Sequence, residues 1–413
     1  MPVVPAPARA GARMTVTYRF GTSLRRIDAE ATLEVAAACL ASHGVRRVVD
    51  VTPLDRVGLP VFVSIRPEGR TLAVHAGKGS TPGEARVSAV MEALEFAVAE
   101  RPPSRETVSV TPREAREAHG LDFLSLCPRL GVGIPSDRPL DCLLGECLLG
   151  GGPRPLPVET VHLLEHGSGS GYFGSNTTGL ASGNDVVEAT LHAALEVLER
   201  DVKSFQCVRD ETRLIVPESL PPPLLEVLGR IEAAGLRCAL RHAPSASGVP
   251  WFQAVLWDPD DLDPSLVNGG YGCHPDATTA ATRAVLEAVQ SRLVVIHGGR
   301  DDLIDTHRRY ASMSPTERVG HLQRVLRRAL DVDGQVELES VPSLDTSGPL
   351  ESVLDRVLDA VGCARLGPPV RVVLESIDPR LAFVRVAIPG AENFTNAERK
   401  VGRRLVERLR AAR

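Results

Sequence analysis

Apolar residues recur at helical spacing most clearly between residues 179 and 201, GLASGNDVVEATLHAALEVLERD. Val187, Leu191, Leu195 and Leu198 form one stripe, which predicts a helix with a buried face. Asn184 or Asp185 can cap its start, and Asp185 with Glu188 has the spacing of a capping box. A second stripe beside the first is polar. Glu188, His192, Glu196, Glu199 and Arg200 stand at i, i+4, i+8, i+11 and i+12. Glu196 and Glu199 face the same way, which costs an isolated helix about 0.2–0.5 kcal/mol. Arg200 offsets part of this, and a bound cation would offset more.

The pattern returns twice. Residues 84–95 and 188–199 both fit E-A-x3-A-x2-E-x-L-E, and residues 279–290 keep the form with Ala280, Ala284, Glu287, Val289 and Gln290. Each copy follows a glycine-bearing segment: Gly77-Lys78-Gly79, Gly179 to Gly183, and Gly269 to Gly272. Ala, Leu and Glu are good helix formers, so composition alone accounts for any one copy. Three copies with polar positions in register favour three polar-faced helices that converge on one ligand. Copies about a hundred residues apart are too distant for a solenoid repeat.

Around these helices the pattern predicts an α/β or α+β chain. A helix over 28–43 ends at Gly44, and strands follow at 45–52, 60–65 and 71–76. Thr111 to Glu114 has the form of a helix start, and residues 141–163 read as strands and turns. The loop at 167–176 contains Gly169-x-Gly171-x-x-Gly174, but no compact βαβ unit follows it. A mobile loop that covers a substrate is expected there instead of a dinucleotide cradle. Further elements are strands at 212–216, 236–240 and 252–257, and helices at 223–235, 276–296, 315–330 and 349–361. Strands at 370–377 and 382–388 precede a basic C-terminal helix within 391–413, which reads as a surface or subunit-contact helix; a homodimer is expected. Residues 1–15 read as a flexible tail, leaving 16–390 as the main domain.

Composition narrows the classes. The 413 residues are 43% apolar with a formal charge of −5, which describes a soluble protein with no general nucleic-acid footprint. No apolar run spans a membrane, and the Pro/Ala-rich start lacks a signal-peptide core. Eight cysteines without C-x2-C spacing fit a reduced cytoplasm and small buried side chains.

The repeated acids suggest the ligand. Mg²⁺ is commonly held by one or two carboxylates plus substrate phosphates. Lys78, Arg200 and Arg283 would balance the phosphate charge, with Arg292 a weaker candidate, while Ser88, Asn184 and Gln290 supply hydrogen bonds. The site is no P-loop, since G-x4-G-K-S/T is absent. His192, on the polar stripe, has either a proton-transfer or a helix-packing role. His274 shapes a turn, and Cys273 has no nearby base to make it a nucleophile.

At these positions the chain resembles the YcaO superfamily. The blocks are Lys78 with S-x3-E-x2-E (Ser88, Glu92, Glu95); GLA-x-GN-x3-E-x7-E-x2-ER (Asn184, Glu188, Glu196, Glu199, Arg200); and R-x3-E-x2-QSR (Arg283, Glu287, Gln290, Arg292). The resemblance implies a YcaO-type fold that presents three acidic helices to one ATP–Mg²⁺ site. It implies Glu92, Glu95, Glu196 and Glu199 on the metal. It places Lys78, Ser88, Asn184, Glu188, Arg200, Arg283, Glu287 and Gln290 on ATP, with Arg200, Lys78 and Arg283 catalytic. The implied chemistry is phosphorylation of a backbone amide oxygen in a precursor peptide, attack by a nucleophile, and loss of phosphate. Ring closure to an azoline or amidine is the expected outcome. Thioamide formation from external sulfide, with a TfuA-like partner, is the alternative, since RPEGRTLAVHAGKG resembles that type. The chain ends without the proline-rich tail of many ring-forming members, which fits a stand-alone enzyme or a thioamide former. With no leader-binding domain before residue 16, peptide recognition is expected to be internal or supplied by another protein. A non-catalytic ATP-binding regulator and an unrelated acidic-helix metal protein are the readings from other classes.

Overall fold

The computed structural model describes residues 18–19, 22–164, 169–261, 263–395 and 399–411. The expected tail at 1–15 lies outside the described residues. Strands β1 (Tyr18–Arg19) and β2 (Leu24–Arg25) pair ahead of helix α1 (Ala29–Ala37), which Asp28 caps. Strands β3 (Arg47–Asp50), β4 (Val61–Ile65) and β5 (Val74–Lys78) form the first sheet, and α2 (Pro82–Ala99) follows its edge. Next come β6 (Val108–Val110), α3 (Pro112–His119), β7 (Leu140–Cys147), β8 (Arg154–Pro157), α4 (Val158–Val161), β9 (Leu180–Gly183) and α5 (Val186–Val208). Then follow β10 (Arg213–Leu214), α6 (Pro222–Ala233), β11 (Arg237–His242), β12 (Trp251–Trp257), β13 (Asn268–Cys273) and α7 (Ala277–His297). The chain continues through α8 (Ile304–Ala311), α9 (Pro315–Ala329), α10 (Leu350–Cys363), β14 (Val370–Val373), β15 (Ala382–Ala387) and α11 (Arg403–Ala411).

The second sheet has the order β6-β7-β14-β15-β9 with β8 also on β7, and the third runs β10-β11-β12-β13. Every strand pair within these sheets is antiparallel, so α+β is the description that holds.

One unit occurs three times: β5–α2, β9–α5 and β13–α7. Each of these strands is the edge of its own sheet. Each helix packs on its own strand and also reaches the strand of the next unit, α2 on β9, α5 on β13 and α7 on β5. The units therefore close a ring. The repeated small residues make this possible. A Cβ on Gly77 would lie 2.0 Å from the Ala89 nitrogen, and one on Gly183 would lie 2.6 Å from the Ala189 nitrogen. The alanines at the matching helix positions complete contacts that larger side chains would block. Three apolar cores lie around the ring, with Leu94 and Phe383 in one, Val289 and Phe252 in another, and Leu198 and Trp251 in the third.

Some boundaries differ from expectation. The first helix stops at Ala37, and a separate short turn, Ala41–His43, ends at Gly44 with φ 77°. The strand expected at 71–76 runs on to Lys78, so the glycine segment is the strand's own end. The C-terminal helix begins only at Arg403; Glu392 before it is held by the backbone of Gly402 and Leu405. Asp185 caps α5, but Glu188 does not complete a capping box, because Arg25 and the Arg26 nitrogen take its carboxylate. Val187 is only half-buried, whereas Leu191, Leu195 and Leu198 are buried as expected.

Candidate active site

The ring encloses a cavity of about 720 Å³. Strand β5 and helix α2 contribute Lys78, Ser88, Glu92 and Glu95 to its wall. Strand β9 and helix α5 add Asn184, Glu188, Glu196, Glu199 and Arg200, and α7 adds Arg283, Glu287 and Gln290. All twelve assigned residues thus meet in one space. Arg292 does not. It pairs with Asp55 at 2.9 Å, both about 5% exposed, and so braces the 50–59 segment instead of facing a ligand.

Each cation of the site is already held by an acid or a carbonyl. Lys78 Nζ lies 2.9 Å from Glu287 Oε2. Arg200 reaches Glu196 at 3.6 Å and Glu199 at 3.8 Å. Arg283 Nη1 donates to the Thr22 carbonyl at 3.0 Å. Glu95 accepts from the Ser182 nitrogen and hydroxyl at 2.8 and 2.6 Å. Glu188 accepts from Arg25 Nη1 and from the Arg26 nitrogen, one bond on each oxygen, so it ties the N-terminal hairpin to α5 at the cavity wall. Several buried polar atoms lack protein partners: Asn184 Nδ2, Arg283 Nε and Gln290 Oε1.

Burial raises the pKa of Glu92, although Arg300 and Lys78 oppose it. Burial, with Glu92 and Glu196 nearby, pushes Glu95 up to about 8. Burial, with Glu199 nearby, pushes Glu196 up to about 7. Glu199 is raised by burial and by Glu287. Burial acts on Glu287 too, but Lys78 and Arg200 outweigh it and bring Glu287 below the usual carboxylate value. Arg200 stays charged, because the attraction of Glu199 and Glu196 exceeds the cost of its burial.

Among the described residues no three His, Cys, Asp or Glu groups stand together as a metal cage. The donor set still fits Mg²⁺. Two desolvated carboxylate pairs, one turn apart on α2 and on α5, match an ion that takes few protein oxygens and completes its shell with phosphates and water.

This arrangement fixes a pH dependence. Glu95 and Glu196 have folded pKa values above the usual 4.5. Their contribution to the stability of the ligand-free fold is complete below that value and falls as pH rises through about 7 and about 8. A cation favours the charged forms, so Mg²⁺–nucleotide binding near pH 6.5 should release about one to two protons. Affinity should rise with pH over the same range. Calorimetry in buffers of different ionisation enthalpy reads the release, and a heat independent of buffer would count against metal binding by these acids.

Other sequence candidates resolve plainly. Arg25 Nη1 lies 2.8 Å from His192 Nδ1, and burial with the nearby Arg25 and Arg283 charges holds the imidazole well below its usual value, so His192 is neutral where it lines the cavity. His274 Nδ1 accepts from the Asp276 nitrogen and shapes the start of α7. Burial raises the Cys273 thiol far above its usual value. All eight cysteines are free, five of them buried. The described part of the glycine loop is no free cover. Glu159 holds Ser170, Gly171 and Phe173, and Tyr172 and Phe173 are buried; residues 167–168 of the loop lie outside the described residues. Gly169, Gly171 and Gly174 adopt positive φ, so these glycines serve turns. Arg25 and Arg300 were missed. Arg300 faces Glu92 and is gripped by Asp302 at 2.9 and 2.6 Å. The Gly298-Gly299 pair before it was the available signal.

A family profile described as YcaO cyclodehydratase, ATP- and Mg²⁺-binding, matches residues 76–392. The chain belongs to the YcaO family. ATP and Mg²⁺ are the family's cofactors. An uncharacterized protein of Methanothermobacter thermautotrophicus is 34% identical over 381 residues, covering 91% of this chain and 96% of its own. A Rhizobium leguminosarum bv. trifolii protein described as lying in the tfuA 3′ region is 32% identical, covering 90% of each chain. Among solved structures, YcaO from Methanopyrus kandleri bound with AMPPCP and Mg²⁺ matches with TM-score 0.73 and 26% identity over 94% of this chain and 97% of that one. A heterocyclase in complex with substrate and cofactor shares the fold at TM-score 0.76 and 17% identity, over 92% of this chain and 54% of that one. No helix among the described residues of this YcaO chain is long and apolar enough to cross a membrane.

Proposed function

We propose that this YcaO protein uses ATP to phosphorylate a backbone amide oxygen of a ribosomally made precursor peptide. A nucleophile then attacks the activated carbon. The observation that supports this reading is the set of three cations in the cavity, Lys78, Arg200 and Arg283, one from each strand–helix unit, beside desolvated acids. In the first step the amide oxygen bonds to the γ-phosphorus and the bond to ADP breaks. In the second the nucleophile adds to the carbon and loses its proton to solvent, and the carbon–oxygen bond breaks with release of phosphate; where a ring closes, the amide N–H proton also leaves as the C=N bond forms. Glu92, Glu95, Glu196 and Glu199 would hold Mg²⁺, which supplies charge neutralisation at the phosphates. Glu287 orients Lys78, while Glu196 and Glu199 orient Arg200. The protein's share is thus positioning and charge compensation.

Ring closure, by a Cys, Ser or amine of the peptide itself, agrees with the cyclodehydratase description of the family. The relative from the tfuA region favours a second reading, in which external sulfide attacks and a TfuA-like protein assists. Product mass separates them, since ring closure removes water and sulfur insertion exchanges oxygen for sulfur. The mechanism itself is tested with peptide carrying ¹⁸O at the target amide. The label should appear in released phosphate for either nucleophile. Modified peptide with unlabelled phosphate would refute amide-oxygen phosphorylation, and ATP binding without any peptide modification would leave a regulator.

A further inference from the structure

The cavity has two unlike ends. At the N-terminal end, Arg25 pairs with Glu188, and Arg26 pairs with both Asp185 and Glu351. These ties close that side. The unpartnered donors Asn184 Nδ2 and Arg283 Nε also lie toward it, beside Thr32 and Thr22. At the other end the wall is α8. None of its residues is buried, its principal packing partners are the turns 264–266 and 301–303, and its ion pair, Arg308 with Asp305, is internal. Leu303, His307 and Tyr310 recur at helical spacing and line the cavity, as do Val294 and Val295 from the C-terminal part of α7. The Tyr310 ring is steadied by His321 of α9, at 5.5 Å between centroids. Arg300 is the cation here, and Asp302 already occupies it. Asn268 is 7% exposed and lines the same cavity, and its Oδ1 has no hydrogen-bond partner.

We propose that the α8 end is the peptide subsite. It takes a neutral apolar or aromatic side chain next to the modified amide against Leu303, His307 and Tyr310. Asn268 Oδ1 accepts a backbone N–H of the same peptide. This rests on the amide activation proposed above. In-line transfer brings the amide oxygen and the leaving phosphate to opposite faces of the γ-phosphorus. Peptide and nucleotide must therefore enter the ring of cations from different sides. The closed end offers donors, which suit phosphate, ribose and base acceptors. The α8 end offers the unpartnered acceptor Asn268 Oδ1 and apolar side chains without a free cation, which suit a peptide backbone and a neutral side chain. A cover with no buried residue also opens at little cost, as a substrate that changes at every turnover requires.

The test uses the full chain saturated with AMPPCP and Mg²⁺, with acetyl-Phe-Cys-amide and acetyl-Asp-Cys-amide as probes. Saturation-transfer NMR reads probe binding, and calorimetry reads nucleotide affinity in parallel. The Phe probe should bind more tightly than the Asp probe. Tyr310→Ala and Asn268→Ala should each weaken the Phe probe about fivefold with nucleotide affinity unchanged. Tyr310 is on an exposed helix, so its variant keeps the proposal testable if Asn268→Ala fails to fold. Nucleotide bound normally, with probe binding absent or indifferent to Tyr310→Ala, overturns the subsite alone. Weaker nucleotide binding in Tyr310→Ala assigns this end to the nucleoside and also overturns it. A wild-type chain that does not bind nucleotide refutes the activation reading beneath it.

Discussion

Arg200→Lys is expected to lower turnover about a hundredfold without unfolding the protein. The guanidinium lies between two acids, with Glu196 at 3.6 Å and Glu199 at 3.8 Å. Its planar fork can keep contact with both while presenting a face to phosphate oxygens. A lysine keeps the charge but offers a single point, so it satisfies one acid at the expense of the other. Glu196 and Glu199 then repel each other with less compensation, and the phosphoryl group loses one aligned donor. The loss should fall mainly on kcat, because charge develops in transfer, and less on nucleotide affinity. Steady-state ATP consumption with peptide present, together with thermal unfolding, checks both parts. Unchanged turnover would remove Arg200 from the chemistry. Arg292→Ala is the informative contrast. Its partner Asp55 is 5% exposed, so the variant leaves a buried acid unpaired and should cost about 3–5 kcal/mol of stability.

Much of this site was legible because its chemistry is repeated in register. Glu92 with Glu95, Glu196 with Glu199, and Glu287 with Gln290 share positions in three similar helices, and all face the cavity. The same repeat hid a division of labour. Glu188 stands on the polar stripe with the ligand candidates, yet Arg25 and the Arg26 nitrogen take its carboxylate from across the fold. Helical spacing shows which way a side chain points and is silent about what meets it there. Arg292 misled for the same reason. Its place in the third block put it near the ligand, but Asp55 lies closer. Helix α8 was illegible because residues 304–311 bury nothing, and an element without a buried stripe leaves little apolar periodicity to read. The repeated alanines were visible and their reason was not. They looked like helix formers, whereas the structure uses them to let each helix lie directly on a strand glycine.

That last contact couples stability to ligand binding. Gly270→Ala should destabilise the protein by about 3 kcal/mol or more and abolish Mg²⁺–ATP binding. A Cβ at this position would lie 2.1 Å from the Ala284 carbonyl oxygen and 2.2 Å from the Ala288 nitrogen. Both are backbone atoms inside α7, so no side chain can turn away to make room. The helix must shift as a body. It carries Arg283 and Glu287 on the turns beside the contact, and Lys78 is held by Glu287 across the ring. Displacing α7 therefore removes one cation and frees a second, while also opening the core around Val285 and Val289. Gly229→Ala separates this cause from the generic effect of the substitution. Gly229 lies in α6, and an added Cβ meets nothing within 4 Å. Helix propensity alone then predicts a gain of about 0.5–1 kcal/mol. Denaturant unfolding of the two variants, with calorimetric titration of AMPPCP and Mg²⁺, reads both quantities. If Gly270→Ala unfolded at the wild-type denaturant concentration and still bound nucleotide, direct contact between strand and helix backbones would not be what holds the ring closed.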